Sequence, residues 1–174
     1  ISADGVTLMG DWQTLGMRAT GSQTIKIDDA FVPDAAIVMK RPRGGFHPAF
    51  SVILTVAMPL IMSAYLGAAE EAADIAIGKA RGESELSFIL AGELTNLVTA
   101  AQIARDDMVR LCNNFDFQPT ERQASDMLIR KTICATNVIA CGMKAMEVAG
   151  GSGFFRKNGL ERLFRDLQGA RYHP

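Results

Sequence analysis

Residues 86–111 read LSFILAGELTNLVTAAQIARDDMVRL, and their apolar side chains recur in steps of four and three. The repeating positions are Leu86, Leu90, Leu94, Leu97, Ala101, Ala104, Met108 and Leu111. Such a repeat places a narrow apolar stripe along one side of a helix, which is typical of helices packed in a bundle. The stretch therefore predicts a long amphipathic helix.

A second long helix is predicted before this one. Pro48 suits the first turn of a helix that runs to about Ala80, because proline there loses no intrahelical hydrogen bond. Pro59 lies inside the segment, so we expect either a kink there or a later start of the helix. Gly82 marks the break before the next helix.

A third long helix and a short fourth one are predicted after it. Thr120 with Gln123 resembles a capping box, and the helix that it opens runs to about Ala149. Its inner face is expected to comprise Ala124, Leu128, Lys131, Ala135, Val138, Gly142, Ala145 and Ala149. The short helix covers about Leu160 to Leu167. Long helices with brief connections favour an antiparallel, up-and-down bundle.

The first forty residues have a different character. Ser22–Asp28 alternates in polarity, as a half-buried strand does, and Val6–Met9 is a second candidate strand. The basic, glycine-containing stretch Lys40–Gly45 marks a linker. We therefore predict a mainly α fold: residues 1–40 contain the last strands of a β-domain, 41–46 form a linker, and 47–174 form a four-helix bundle domain.

Composition restricts the function classes. The chain has 174 residues, is 48% hydrophobic and carries a net charge of −1, which favours neither nucleic acid nor anionic membranes as partners. The longest apolar run, Val52–Leu66, is too short to span a bilayer. Cys112, Cys134 and Cys141 fit buried thiols in a reducing compartment. A cytoplasmic protein without a membrane span is expected, and the start at Ile1 suggests part of a longer chain.

Few residues indicate chemistry by themselves. No metal-binding motif is present, and His47 and His173 lie at the two ends of the helical part, where a histidine is commonly a surface or capping residue. The stretch Gly150-Gly151-Ser152-Gly153 has two interpretations. It is either a turn that ends a helix or a backbone cradle for a phosphate, assisted by the N-terminus of the following helix.

Two segments together resemble the acyl-CoA dehydrogenase superfamily of flavoproteins. Asp11–Pro33, DWQTLGMRATGSQTIKIDDAFVP, is similar to the end of that family's middle β-domain. Ala149–Arg171, AGGSGFFRKNGLERLFRDLQGAR, is similar to its last helix pair. The resemblance implies FAD (with FMN as an alternative), bound between subunits of a dimer or tetramer. It also implies dehydrogenation of an acyl thioester, with electrons passed to an electron-transfer flavoprotein.

The resemblance assigns roles to individual residues. Gly150, Gly151 and Gly153 match a glycine turn along the FAD diphosphate of a neighbouring subunit, and Arg81 falls near an arginine that reaches the flavin phosphates. Arg18, Thr20 and Ser22 match a loop near substrate and flavin. Arg165 and Asp166 match an Arg-Asp pair that is expected to fix the last helix.

The expected catalytic base is missing. Dehydrogenation needs a carboxylate to remove a proton, and the family's glutamate positions correspond here to Tyr172-His173-Pro174 and to the acid-free stretch Ile53–Pro59. His173 instead falls where a flavin-dependent monooxygenase branch carries a histidine, which we take as the candidate catalytic residue.

Three functions remain open on the sequence. The leading one is an acyl-CoA dehydrogenase-like FAD oxidoreductase of fatty acid metabolism, assembled as a homotetramer. The alternatives are a two-component monooxygenase supplied by a flavin reductase, and a non-catalytic oligomerisation module. That module would dock to its own copies through a seam of small residues, Ala135, Gly142 and Ala145.

Overall fold

The computed structural model describes residues 4–80 and 84–173 as a helical bundle with a short β-ribbon. Its helices are α1 (Pro48–Lys79), α2 (Glu85–Cys112), α3 (Glu121–Ala149) and α4 (Leu160–Leu167). Strands β1 (Val6–Leu8) and β2 (Ile25–Ile27) pair antiparallel, with Val6 opposite Ile27. The predicted mainly α fold is confirmed, whereas the division into domains stays a prediction.

Side-chain caps begin the first and third helices. His47 Nδ1 accepts the Ala49 N–H at 3.2 Å, so this histidine is the N-cap of α1. Thr120 Oγ1 accepts the Gln123 N–H at 3.1 Å, but the Gln123 amide donates to the Leu111 carbonyl instead of returning to Thr120. The predicted capping box is therefore only half formed, because the glutamine side chain fastens α3 to α2.

Helix α1 runs through Pro59 without a second start, so the expectation of a later start is wrong. The Ser63 hydroxyl donates to the Pro59 carbonyl at 2.7 Å, one turn further along. Ser51 and Thr55 precede the proline on the buried face, and their hydroxyls have no hydrogen-bond partner in the described part of the chain. This segment of α1 therefore buries two unsatisfied polar groups.

The core lies where α1 and α3 pack against each other and against α2 and α4. Its largest fully buried apolar side chains are Met62, Leu66, Leu94, Met108, Met127, Leu160 and Leu167. The predicted inner face of α3 is wrong at Leu128, which is 37% exposed, and at Lys131, which is partly exposed. Met127, Cys134 and Cys141, spaced by seven residues, are buried instead, because the helix contacts neighbours on more than one side.

The small-residue seam of α3 is occupied within the chain itself. Ala135 and Ala145 are buried in the core, and a Cβ added to Gly142 would lie 2.9 Å from Leu167 Cδ1 of α4. The expectation that this seam docks to other copies is therefore wrong, because α4 packs on it.

Polar contacts join α2 to α3 at the bundle surface. Asp107 pairs with Arg130 of α3 and, at 2.6 Å, with Arg110 of its own helix. Lys144 of α3 pairs with Glu93 of α2 at 2.7 Å. Surface pairs of this kind contribute little stability individually, so they mainly orient the two helices.

The three cysteines are free thiols. Cys134 and Cys141 are fully buried, and burial raises the pKa of these thiols to about 11 and about 12, respectively. Cys112 is partly exposed at the end of α2.

Apolar surface is left uncovered on the ribbon and the outer helix faces. Ile25 and Ile27 are 57% and 71% exposed, so the expected half-buried strand is wrong for this chain, since two strands provide no second layer to cover them. Helix α1 and the segment Glu85–Phe115 are long and apolar enough to cross a membrane by length and composition alone. Core helices of soluble proteins pass the same test, and the expected absence of a membrane span stays a prediction.

Candidate active site

A cavity of about 520 Å³ lies where the loop of residues 12–22, here called the cavity loop, meets the middle of α1 and the end of α4. A 3₁₀ turn, Gln168–Arg171, follows α4 and completes the wall. The lining residues are Trp12, Thr14, Leu15, Gly16, Met17, Thr20, Ser22, Tyr65, Arg165, Gln168, Gly169, Tyr172 and His173.

The Arg165–Asp166 pair fastens the cavity loop to α4. Asp166 Oδ1 accepts the Met17 N–H at 2.6 Å, and the Arg165 guanidinium donates to the Leu15 carbonyl at 2.9 Å. Gly16 lies between these two bonds, and a Cβ there would approach the Arg165 carbonyl oxygen to 2.2 Å. The sequence predicted only that this pair fixes the last helix. In the structure both side chains also bind the cavity loop, about 150 positions away in the chain.

Hydrogen bonds within the cavity loop converge on Met17. Its carbonyl accepts the Trp12 indole N–H at 3.0 Å and the Thr20 hydroxyl at 2.8 Å. Met17 has a φ of 53°, which is uncommon for a residue with a side chain. The clamp from Asp166 and these internal bonds stabilise that conformation.

The structure brings three predicted site residues together at the cavity, but Arg18 of the same loop is not one of them. Thr20, Ser22 and His173 all line the cavity, and the Ser22 hydroxyl donates to Thr20 Oγ1 at 3.3 Å. Arg18 does not line it; its guanidinium donates to the Thr14 carbonyl at 2.9 Å. Arg18 thus supports the loop from outside the cavity.

His173 is held by its backbone, while its ring is short of partners. Its N–H donates to the Gly169 carbonyl at 3.3 Å, and its carbonyl accepts the Lys131 ammonium. The Nδ1 atom is buried and has no hydrogen-bond partner among residues 4–80 and 84–173. The ring packs edge-on against Tyr65, with centroids 6.0 Å apart and planes at 80°.

Sequence reasoning missed Tyr65, which is only 4% exposed in the middle of α1. Burial, and then the Asp166 carboxylate, raise the pKa of its phenol. The only signal in the sequence was that a tyrosine interrupts the apolar run Val52–Leu66, and periodicity does not distinguish a cavity wall from a packed core.

The cavity wall carries little net charge. None of its described residues is aspartate or glutamate, and the guanidinium of Arg165 is paired with Glu161 at 2.8 Å. The Arg165 hydrogen bond lowers the pKa of Glu161, and the same bond raises the pKa of Arg165. Asp166 faces the Met17 backbone rather than the cavity.

The glycine turn lies near the opposite end of α4. Gly150–Phe154 forms a 3₁₀ turn that continues the C-terminal end of α3, and α4 begins only at Leu160. Leu160 nevertheless lies beside the turn, 3.1 Å from a Cβ added to Gly153, and the expectation that the N-terminus of α4 assists a phosphate here stays a prediction. Added Cβ atoms at Gly150 and Gly151 would meet nothing within 4 Å, whereas Gly153 is buried. A role in cofactor binding stays a prediction for these three glycines.

Arg81, the remaining predicted cofactor residue, lies outside the described residues. Within the described ranges, no three side chains of the His, Cys, Asp and Glu types gather to hold a metal ion.

This chain is similar to known proteins in both sequence and structure. The family model for the acyl-CoA dehydrogenase C-terminal domain matches residues 44–173. Curated relatives include the putative acyl-CoA dehydrogenase YdbM of Bacillus subtilis (strain 168), 26% identical over 98% of this chain and 46% of its own length. Another is the amino sugar nitrososynthase RubN8 of Streptomyces rubradiris, 26% identical over 97% of this chain and 42% of its own.

Solved structures that share the fold include KijD3 and TdsC. KijD3, in complex with FMN and dTDP-3-amino-2,3,6-trideoxy-4-keto-3-methyl-D-glucose, superposes with a TM-score of 0.84 at 23% identity, over 99% of this chain and 45% of its own. The dibenzothiophene monooxygenase TdsC of Paenibacillus sp. A11-2 gives 0.75 at 22% identity, over 98% and 49%. The chain thus spans less than half the length of the curated relatives it matches. The family match covers most of the chain, which therefore belongs to the acyl-CoA dehydrogenase family and carries its C-terminal domain.

Proposed function

We propose that this protein is a flavin-dependent oxidoreductase that uses reduced flavin and dioxygen to oxygenate a small organic molecule. The observation that carries the proposal is the chemistry of the cavity wall. Among the described residues of this wall, His173 is the only one whose side chain ordinarily titrates near neutral pH, and none is a carboxylate.

The cavity residues fit a flavin. An isoalloxazine ring is flat and largely apolar, with hydrogen-bonding atoms along its edge, and Trp12, Leu15 and Met17 offer apolar surface. The hydroxyl oxygens of Thr20 and Ser22 stand on the same wall as hydrogen-bond acceptors, since their protons are donated to the Met17 carbonyl and to Thr20 Oγ1. The volume of about 520 Å³ lies within the usual range of ligand pockets. FAD and FMN are both compatible, and the related folds include structures with FMN and with FADH2.

The chain's own residues then have separate tasks. A bound reduced flavin supplies two electrons, so that one oxygen atom of O2 enters the substrate and the other leaves as water. His173 exchanges a proton at its ring nitrogen with the reacting group, a task that a neutral imidazole performs near neutral pH. The clamp from Arg165 and Asp166 holds the cavity loop, with Thr20 and Ser22, in a fixed position beside this region.

Dehydrogenation of an acyl-CoA is the second candidate. The family model and the names of YdbM and the probable acyl-CoA dehydrogenase YngJ favour it. Its partners would be an acyl-CoA and an electron-transfer flavoprotein in a cytoplasmic homotetramer of fatty acid metabolism. Oxygenation would instead need a flavin reductase. A carboxylate base, which dehydrogenation requires, is absent from the described cavity wall. The third function, a non-catalytic oligomerisation module, is not proposed, because α4 covers its small-residue seam within the chain.

One pair of assays separates the two reactions, using the protein as its gene encodes it in full. Under anaerobic conditions, acyl-CoA thioesters from butyryl to palmitoyl are added to the flavin-loaded protein, and the visible flavin absorption is recorded. In the second assay, reduced FMN or FAD, indole and isotopically labelled dioxygen are supplied, and label in the organic product is measured by mass spectrometry. We expect no bleaching by thioesters and label in the product; thioester bleaching without label in any product would refute oxygenation.

The chain offers a matched pair of histidine variants. His173→Ala is expected to reduce labelled product by roughly a hundredfold, in line with the loss of a general acid or base. His47→Asn keeps a capping acceptor at the start of α1, far along the helix from Tyr65 and the cavity, and is expected to retain the native rate. Equal rates of product formation for both variants would show that His173 has no role in the reaction.

A further inference from the structure

We propose that Tyr65 is a ligand-binding residue of this cavity, whose phenol donates a hydrogen bond to an acceptor atom of an uncharged small molecule bound beside His173. The inference rests on the proposed function in taking the occupant to be an organic substrate. It adds a residue and a substrate class that the proposed function does not specify.

The first argument is the position of the phenol. Tyr65 belongs to the buried core, yet its side chain lines the cavity. Among the described residues its hydroxyl makes no hydrogen bond, and unlike the hydroxyls of Ser51 and Thr55 it is not fully enclosed. A donor without a protein partner on a cavity wall is suited to an acceptor on a ligand.

The second argument is the space around the hydroxyl. A Cβ added to Gly169 would lie 2.8 Å from Tyr65 Oη and 3.0 Å from Met17 Cγ. Gly169 does not have a positive φ, so its backbone conformation does not require glycine. The short distance to the phenol does require it, because a side chain there would contact the hydroxyl. The hydroxyl therefore lies against the 3₁₀ turn that forms part of the cavity wall, where a larger side chain would displace it.

The third argument is protonation. Burial and the nearby Asp166 carboxylate raise the pKa of the Tyr65 phenol above its ordinary range. The phenol thus keeps its proton at physiological pH and acts as a donor. Asp166 itself accepts the Met17 N–H, so it is already engaged and is not the partner of the hydroxyl.

The fourth argument concerns His173 and the class of ligand. The two rings meet edge-on, and His173 Nδ1 has no partner within the described part of the chain, so two polar groups stand side by side on one wall. Arg165 is the only arginine or lysine among the described lining residues, and its guanidinium is satisfied by Glu161 and by the Leu15 carbonyl. The site thus favours an uncharged acceptor, such as a carbonyl oxygen, over an anionic group.

A matched pair of probes tests the inference. 1-Indanone carries one carbonyl acceptor and no donor, and indane is nearly the same hydrocarbon without the carbonyl. Binding of each to the full-length protein saturated with FMN is measured by calorimetry for the native protein and for Tyr65→Phe. We expect the variant to bind 1-indanone about tenfold more weakly and indane equally well, since only one hydrogen bond is lost.

Two further variants keep the result interpretable. Thr55→Val removes another buried hydroxyl from the same helix, outside the cavity, and is expected to leave both affinities unchanged. Gly169→Ala crowds the phenol and is expected to weaken 1-indanone more than indane.

Three outcomes would overturn the inference: no binding of 1-indanone by the native protein, unchanged 1-indanone affinity in Tyr65→Phe, or equal weakening of both probes. The proposed function fails separately. Tyr65-dependent binding together with thioester bleaching and no labelled product leaves the inference standing and refutes oxygenation. Labelled product with Tyr65-independent binding does the opposite.

Discussion

Replacing Gly16 by alanine is expected to detach the cavity loop from α4. A Cβ at this position would lie 2.2 Å from the Arg165 carbonyl oxygen and 2.4 Å from the carbonyl carbon. Both atoms belong to a helix backbone, which does not rotate away as the end of a side chain does. The loop must therefore move by roughly 1 Å or more to restore an ordinary van der Waals distance.

The magnitude follows from the bonds that this movement breaks. Met17 N–H to Asp166 spans 2.6 Å and Arg165 to the Leu15 carbonyl spans 2.9 Å, so a displacement of this size removes both. Hydrogen bonds to charged groups contribute roughly 1.5–3 kcal/mol each. Because both groups are partly exposed, we take the lower end, about 3 kcal/mol for the two together. The docked loop should then lose roughly a hundredfold in its equilibrium with the undocked form.

Trp12 reports the docking, because it is the one tryptophan of the chain and donates to the Met17 carbonyl. In the 174-residue chain, Gly16→Ala should shift tryptophan emission to longer wavelength and accelerate exchange of the Met17 amide by about a hundredfold. Gly67→Ala is the matched control, since its Cβ would meet nothing within 4 Å. That control should gain about 0.5–1 kcal/mol of helix stability. Native emission and native Met17 exchange in Gly16→Ala would refute the reasoning.

Three other predictions concern the bundle. Thr55→Val removes a buried hydroxyl without a partner in the described chain and should raise the free energy of unfolding by about 1 kcal/mol in urea titrations; a decrease of that size would contradict it. Native protein treated with iodoacetamide at neutral pH should be labelled at Cys112 long before Cys134 or Cys141, whose raised pKa values leave almost no thiolate; equal labelling would show that the core opens. The hydrogen bond from Arg130, and then that from Arg110, lower the pKa of Asp107, so its contribution to stability is present above about pH 4 and is lost as the pH falls through the depressed value. Unfolding of native and Asp107→Asn chains should therefore differ at neutral pH and converge in acid, and a constant difference would argue against the ion pair.

The helical part of the fold could be read from the sequence because its signals are local. Pro48 starts α1, Thr120 caps α3, and Gly150 ends it, each within one or two residues of the predicted boundary. Helix propensity, capping and the period of apolar residues act over one or two turns, so they are visible in a short window of sequence. The face that α3 buries was harder to predict, because it depends on which neighbours surround the helix.

The cavity depended on contacts between distant parts of the chain. Thr20, Ser22 and His173 were identified from the sequence, yet only the tertiary structure placed them on one wall and left Arg18 outside it. The bond from Asp166 to Met17 joins residues 149 positions apart, and no local pattern encodes such a pairing.

The sequence alone thus determined a bundle of four helices and the types of residue available for chemistry. The tertiary structure decided which of them share a cavity: it added Tyr65 from within an apolar run and placed the glycine turn near the far end of α4. The physical reason is that secondary structure follows from interactions between near neighbours in the chain. A binding site, by contrast, is formed by packing that brings together side chains from separate elements.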